Sequence, residues 1–261
     1  ALVSLSSSES GTMTATVDEN GSFEFRGLAP GMIYAGALLS SAEGSWTSDR
    51  LTLVLGEGDD HGPVELRLRR TRQVSGIVQS ALGPVPGASV AIVPFRPIVM
   101  FGDAVRTDLD GSFSGNVPAM TDLAAAVVSA PGFALRAFAL PAGQPAQILA
   151  VSEEEGNLEL RLPEPPQESG RERFSLWVFQ NGLPLPLDTL YPWAAGHGQE
   201  PAGPGSRGLA IPAVAPGEYR ACIVSQALLV PWEASGWTAP LAKCAVGDLA
   251  AGSTLRLDLE R

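Results

Sequence analysis

Short runs of apolar–polar alternation, each closed by Gly or Pro, fill most of this chain. The clearest stretch, residues 74–133, reads V-S-G-I-V, a Gly/Pro turn, A-S-V-A-I, then T-D-L-D-G-S-F and S-A-P-G-F. Alternation of period two sends every second side chain to one face of a sheet, so these runs predict half-buried strands. Residues 122–130 (DLAAAVVSA) are helical by propensity. Their alignment with 33–40 (IYAGALLS) predicts a strand instead.

The pattern repeats. Similar alternating runs stand at 64–68 (VELRL), 158–162 (LELRL) and 255–259 (LRLDL), and are read as the ends of three units. Between them lie 20–23 (NGSF), 110–113 (DGSF) and 206–209 (SRGL). Asn-Gly and Asp-Gly predict tight two-residue hairpins with both central residues at positive φ. At an offset of 100, Val74, Gly76 and Val78 fall opposite Phe174, Leu176 and Val178, and Pro84-Val85-Pro86 opposite Pro184-Leu185-Pro186. The first unit has no such start, because residues 1–5 align with 88–92, the second strand of the middle unit. The expectation is an all-β chain of three tandem Ig-like or prealbumin-like β-sandwiches, the first lacking its opening strand. The units are placed at 1–70, 71–163 and 171–261, with about seven strands in a complete one. The missing strand leaves an unpaired edge, an association hazard. A short charged junction (69–73) is expected between the first two units, and a Pro-rich spacer (162–171) between the last two.

The order V-x-G-x-V, G-P-V-P-G-A, T-D-x-D-G-x-F and A-P-G-F resembles the carboxypeptidase regulatory-like domain, also called transthyretin-like, akin to the B-type repeats of collagen adhesins. Residues 72–162 carry the whole signature. The resemblance implies a non-catalytic sandwich, commonly exported and arrayed within larger bacterial surface or periplasmic proteins. It transfers no functional residues. The Lys–Asn isopeptide bond of some adhesin repeats has little basis here, because the only Lys is Lys243, beside Cys244.

Composition narrows the partners. The net charge of −11 disfavours phosphate backbones and anionic lipid, so no nucleic acid is expected. No apolar run is long enough for a membrane-spanning helix. Cys222 and Cys244 each sit in an alternating segment. One disulfide between neighbouring strands is expected, implying an oxidising, extracytoplasmic setting; two buried free thiols are the alternative.

Candidate chemistry is thin. The two His residues, His61 and His197, lie in polar or Gly/Pro-rich stretches. His197-Gly-Gln-Glu200 has a metallocarboxypeptidase-like H-x-x-E form, but no His follows to complete a zinc site. Residues 59–61 (DDH) read as a polar turn, and 108–111 (DLDG) and 18–21 (DENG) as turns rather than calcium loops. No catalytic residue, metal site or cofactor is expected. The leading function is a non-enzymatic scaffold or spacer within a longer surface or periplasmic protein, its partners being neighbouring domains or cell-surface proteins. The alternative is a carbohydrate- or protein-binding module using Tyr191, Trp193, Trp232 and Trp237, whose aromatic faces on loops suit glycans or a protein partner. The apolar stretch 97–101 (PIVMF) reads as core or interdomain packing.

Overall fold

The computed structural model describes residues 1–7, 11–94, 103–119, 123–144, 146–161, 174–185, 208–225 and 240–259. Every regular element there is a strand. The middle region holds β6 (Leu68–Ser80), β7 (Gly83–Pro84), β8 (Ser89–Pro94), β9 (Asp103–Arg106), β10 (Ser112–Pro118), β11 (Leu123–Ser129), β12 (Arg136–Pro141) and β13 (Gln147–Ala150). In one layer β6 is central, antiparallel to β10 and parallel to β13. The other layer runs β12-β11-β8-β9. Val74 and Val78 of β6, Phe113 of β10, Ile92 of β8 and Val128 of β11 meet between the layers, so this region is a β-sandwich.

The last region repeats that wiring with β14 (Gly156–Arg161), β15 (Phe174–Gln180), β16 (Leu183–Leu185), β17 (Gly208–Val214), β18 (Gly217–Ser225), β19 (Lys243–Leu249) and β20 (Thr254–Asp258). Here β14 is central, antiparallel to β17 and parallel to β20. The facing layer runs β16-β15-β18-β19. Pairing therefore equates β14 with β6, and β15 with β8.

That correspondence corrects the alignment at an offset of 100. Residues 174–178 occupy the place of 89–93, not of 74–78. A Gly and then a Pro follow both β6 (Gly83, Pro84) and β15 (Gly182, Pro184), and only the pairing partners separate the two positions. Likewise 158–161, read as closing the second unit, pairs with β17 and β20 instead of with β6 or β13. The charged junction at 69–73 is not a linker either. It lies within the 13-residue β6, whose first residues (68–70) pair with β4 (Gly44–Ser48) of the first region.

Strand β11 forms as expected and shows why its sequence looks helical. It is buried on both faces. Ala124, Ala126 and Val128 enter the core of the middle sandwich, while Val127 packs with Leu158, Leu160 and Tyr219 of the last region. A strand covered on both sides needs a continuous apolar run, not alternation, and small Ala side chains let both layers approach.

The first region is built from β1 (Leu2–Ser7), β2 (Gly11–Thr16), β3 (Gly31–Ser41), β4 and β5 (Leu51–Leu55). These form one sheet: β1 lies between β2 and β3, and β3 pairs on its other side with β4 and β5. Val3, Leu5, Ile33, Ala35 and Leu55 are buried. From the other face, Tyr34 joins the cluster of Phe179, Cys222 and Val224 in the last region.

Candidate functional site

The first region is best understood against the middle one. In the middle, Gly111 donates to the Asp108 carbonyl and Asp108 donates to the Ser112 carbonyl; in the first, Gly21 donates to Asp18 and Asp18 to Ser22 in the same way. Both are three-residue connections in which only the glycine has positive φ, +76° at Gly111 and +83° at Gly21. The expected two-residue hairpins are thus corrected. Asp18 and Asp108 fold the chain a residue earlier, so Asn20 and Asp110 keep negative φ. The registers agree further upstream: Thr107 donates to the Ala88 carbonyl, and Val17 to the Ala1 carbonyl. This matches residues 1–5 to 88–92 as expected, and equates β1 with β8.

After the turn the two regions part. In the middle one the chain continues as β10, hydrogen-bonded along β6, with Phe113 opposite Gly76. A Cβ on Gly111 would stand 2.5 Å from the Val78 carbonyl oxygen of β6, whereas nothing lies within 4 Å of the same point at Gly21. Among the described residues, no strand closes over Gly21 as β6 closes over Gly111. Residues 22–27, the equivalent of β10, are not a strand. Residues 64–67, expected as the closing strand, are not one either. Yet both segments keep strand-like side-chain order. Phe23 and Phe25 are half-buried between exposed Glu24 and Arg26, and Val64 and Leu66 between exposed Glu65 and Arg67. Arg26 pairs with Glu24 at 2.8 Å, and Arg67 with Glu65 at 3.0 Å. Hydrogen bonding by the arginines holds both carboxyls below the ordinary Glu range. Among the described residues, no backbone–backbone hydrogen bond is made within 23–27 or 62–67. Phe25 and Leu28 pack on Leu5, Ile33 and Leu55 from this side.

The last two regions, by contrast, are joined through buried polar groups. Gln180 is fully buried and accepts from the Ala137 amide of β12 at 2.7 Å. Its Nε2 donates to the Ala215 carbonyl at 3.0 Å and to the Tyr219 hydroxyl at 2.6 Å. Tyr219 in turn donates to the Ala215 carbonyl at 2.7 Å. Burial pushes the Tyr219 pKa above the ordinary phenol value, against the opposing effects of Gln180 and Arg136. Leu135 donates to Ala213 and accepts from Ala215. Sequence reasoning did not single out Gln180 or Tyr219. The adjacent Asn181-Gly182 pair was a readable signal: both residues have positive φ, and they form the two-residue hairpin between β15 and β16. Thr107 opens the T-D-x-D-G motif. Its buried hydroxyl donates to the Val85 carbonyl at 2.7 Å and accepts from Ala88 at 2.9 Å, tying the turn to the preceding loop.

Cys222 and Cys244 form a disulfide and stand directly opposite each other on β18 and β19, the neighbouring-strand arrangement expected. Tyr191, Trp193, Trp232, Trp237, His197 and residues 97–101 lie outside the described residues, as does the Pro-rich segment 162–171. His61 is exposed, in a stretch without regular structure.

By sequence, no protein-family model matches the chain, and no curated protein matches it. Among solved structures, the chain is similar to the Bacillus anthracis TIE protein, at 13% identity and a TM-score of 0.25 over 98% of this chain and 47% of that one. The shaft pilin SpaA from Lactobacillus rhamnosus GG, as an E269A/D295N double mutant, matches 72% of this chain and 96% of its own, at 9% identity and a TM-score of 0.25. A Streptococcal ancillary pilin matches 90% of this chain and 76% of its own, at 10% identity and a TM-score of 0.26. The chain spans about half the length of the TIE protein. At such TM-scores these likenesses carry no argument about family or role. What its own strand pairing establishes is an all-β chain with several antiparallel sheets and β-sandwich packing.

Proposed function

We propose that this chain is a non-enzymatic structural segment of an extracytoplasmic surface protein, a stiff spacer of tandem β-sandwich modules. The observation that carries this is the joint between the last two regions. Sheet β12-β11-β8-β9 contributes to two cores at once, and Gln180 ties β12 to β15 and β18. A joint built from shared core and satisfied buried polar groups resists bending, which suits a load-bearing spacer better than a mobile binding domain. The disulfide supports an oxidising setting. The motifs of residues 72–162 support kinship with the carboxypeptidase regulatory-like domain. Strand pairing favours unit limits near 1–67, 68–151 and 156–259.

The test is urea unfolding of the full chain, followed by hydrogen exchange of the last two regions. A stiff spacer gives one cooperative transition for residues 68–259. Two separable transitions would refute it. A tryptophan-fluorescence titration with soluble glycans runs beside it. A saturable shift abolished by Trp193→Ala, Trp232→Ala or Trp237→Ala would favour the binding-module alternative.

A further inference from the structure

We propose that the Cys222–Cys244 disulfide is a thiol-exchange site: Cys244 takes the incoming thiolate, Cys222 is the leaving group, and reduction releases β19. The two sulfurs differ in access. Cys222 is fully buried, in a cluster with Phe179 and Val224 against which Tyr34, Trp177, Leu241 and Ala242 pack. Cys244 is exposed. Which sulfur of a disulfide is attacked depends on access. Attack at Cys222 needs that cluster to open, whereas attack at Cys244 starts from solvent. The strand that carries Cys244 is open as well. Among the described residues β19 pairs with β18 alone, and its Lys243, Val246 and Asp248 are exposed. The chemistry suits a dithiol. One thiolate bonds Cys244 Sγ as the S–S bond breaks, and Cys222 Sγ leaves with the electron pair and takes a proton. A monothiol stops there, and Cys222, directly across from the new mixed disulfide, reverses the step. The second thiol of a dithiol instead attacks its own partner's sulfur and frees Cys244. The protein disulfide is reduced to two thiols, and the dithiol is oxidised to a cyclic disulfide. Reduction cuts a covalent tie between residues 22 apart in sequence. Such a tie stabilises by limiting the freedom of the opened chain, so its loss lets the edge strand fray.

The inference goes beyond the spacer reading and does not rest on it. The test treats the full chain with dithiothreitol, a dithiol, and counts released thiols over time. Trp177 stands directly opposite Cys222 on β15, and a disulfide quenches a neighbouring indole, so a rise in emission that Trp177→Phe removes should follow the same time course. Direct attack on the folded chain predicts a reduction rate that is the same without urea and in urea well below the unfolding midpoint. A rate that climbs with urea in step with the unfolded fraction overturns the proposal, because the disulfide would then be reached only in unfolded chains. Glutathione, a monothiol, should be found by acid quench and peptide mapping at least about tenfold more on Cys244 than on Cys222. Equal labelling, or labelling mainly on Cys222, overturns the assignment of the two sulfurs. In the reduced chain, amides at 243–247 should exchange at least about tenfold faster, while those of β14 and β17 keep their rates. No change at 243–247 overturns the release of β19. Faster exchange throughout β14 and β17 overturns it too, since the disulfide would then support the whole region.

Discussion

Replacing Gln180 by Leu tests the joint between the last two regions at its most buried polar group. The side chain makes hydrogen bonds of 2.7, 3.0 and 2.6 Å, to Ala137, Ala215 and Tyr219. Each is worth about 1 kcal/mol net, and an unsatisfied buried N–H costs about 1–3 kcal/mol. Leu restores the volume but strands the Ala137 amide. The expected loss is about 3–4 kcal/mol, large against a total stability of about 5–15 kcal/mol. With a urea m-value of about 2 kcal/mol/M, the midpoint falls by about 1.5–2 M. The matched control is Gln73→Leu. Gln73 is exposed and bonds Ser114 at 2.6 Å, so its loss should stay within about 0.5 kcal/mol. Urea unfolding by circular dichroism measures both. The reasoning is refuted if Gln180→Leu costs no more than Gln73→Leu. It is equally refuted if the loss falls on a transition of residues 174–259 that leaves β12 unaffected.

Gly76→Ala would place a Cβ 2.6 Å from the Gln147 carbonyl oxygen and 2.7 Å from the Phe113 ring, and should cost about 1–3 kcal/mol in thermal or urea unfolding. Ala213→Gly should be neutral or stabilise by up to about 1 kcal/mol, because Ala213 holds φ of +53°; a clear loss would show that its methyl matters more than its backbone. Tyr219 gives a pH signature. Its folded pKa is raised, so its stability contribution is complete below the unfolded value of about 10 and is lost as pH rises through the folded value. Stability should fall by up to about 1.4 kcal/mol per pH unit above pH 10, and Tyr219→Phe should remove that slope in unfolding titrations.

The all-β fold was legible because Gly/Pro punctuation and period-two alternation dominate the chain. Even β11 could be read, since its repeat position outweighed its Ala-rich propensity. Its burial on both faces could not, because it depends on residues some 30–130 positions away, such as Leu158 and Leu257. The hairpin motif misled at residues 174–178, where the local pattern of β15 matches both β6 and β8 and only pairing distinguishes them. The same limit applied to the candidate site. The equivalence of β1 with β8 was visible in the match of residues 1–5 to 88–92. That the strand preceding β8 is the centre of a layer required the pairing of β6 with β10 and β13. The aromatic residues favoured in the sequence for binding, Tyr191, Trp193, Trp232 and Trp237, lie outside the described residues. The Gln180–Tyr219 network carries no motif signature, because it joins an amide, a phenol and two backbone groups from separate strands.

The measurement that bears most directly on the joint between the last two regions is native-state hydrogen exchange of the chain alone. The predicted result is that the Ala137 amide of β12, which donates to Gln180, opens together with the amides of β15 and β18. An Ala137 amide that exchanges freely while β15 and β18 stay protected would mean that the two regions open separately and would contradict the account.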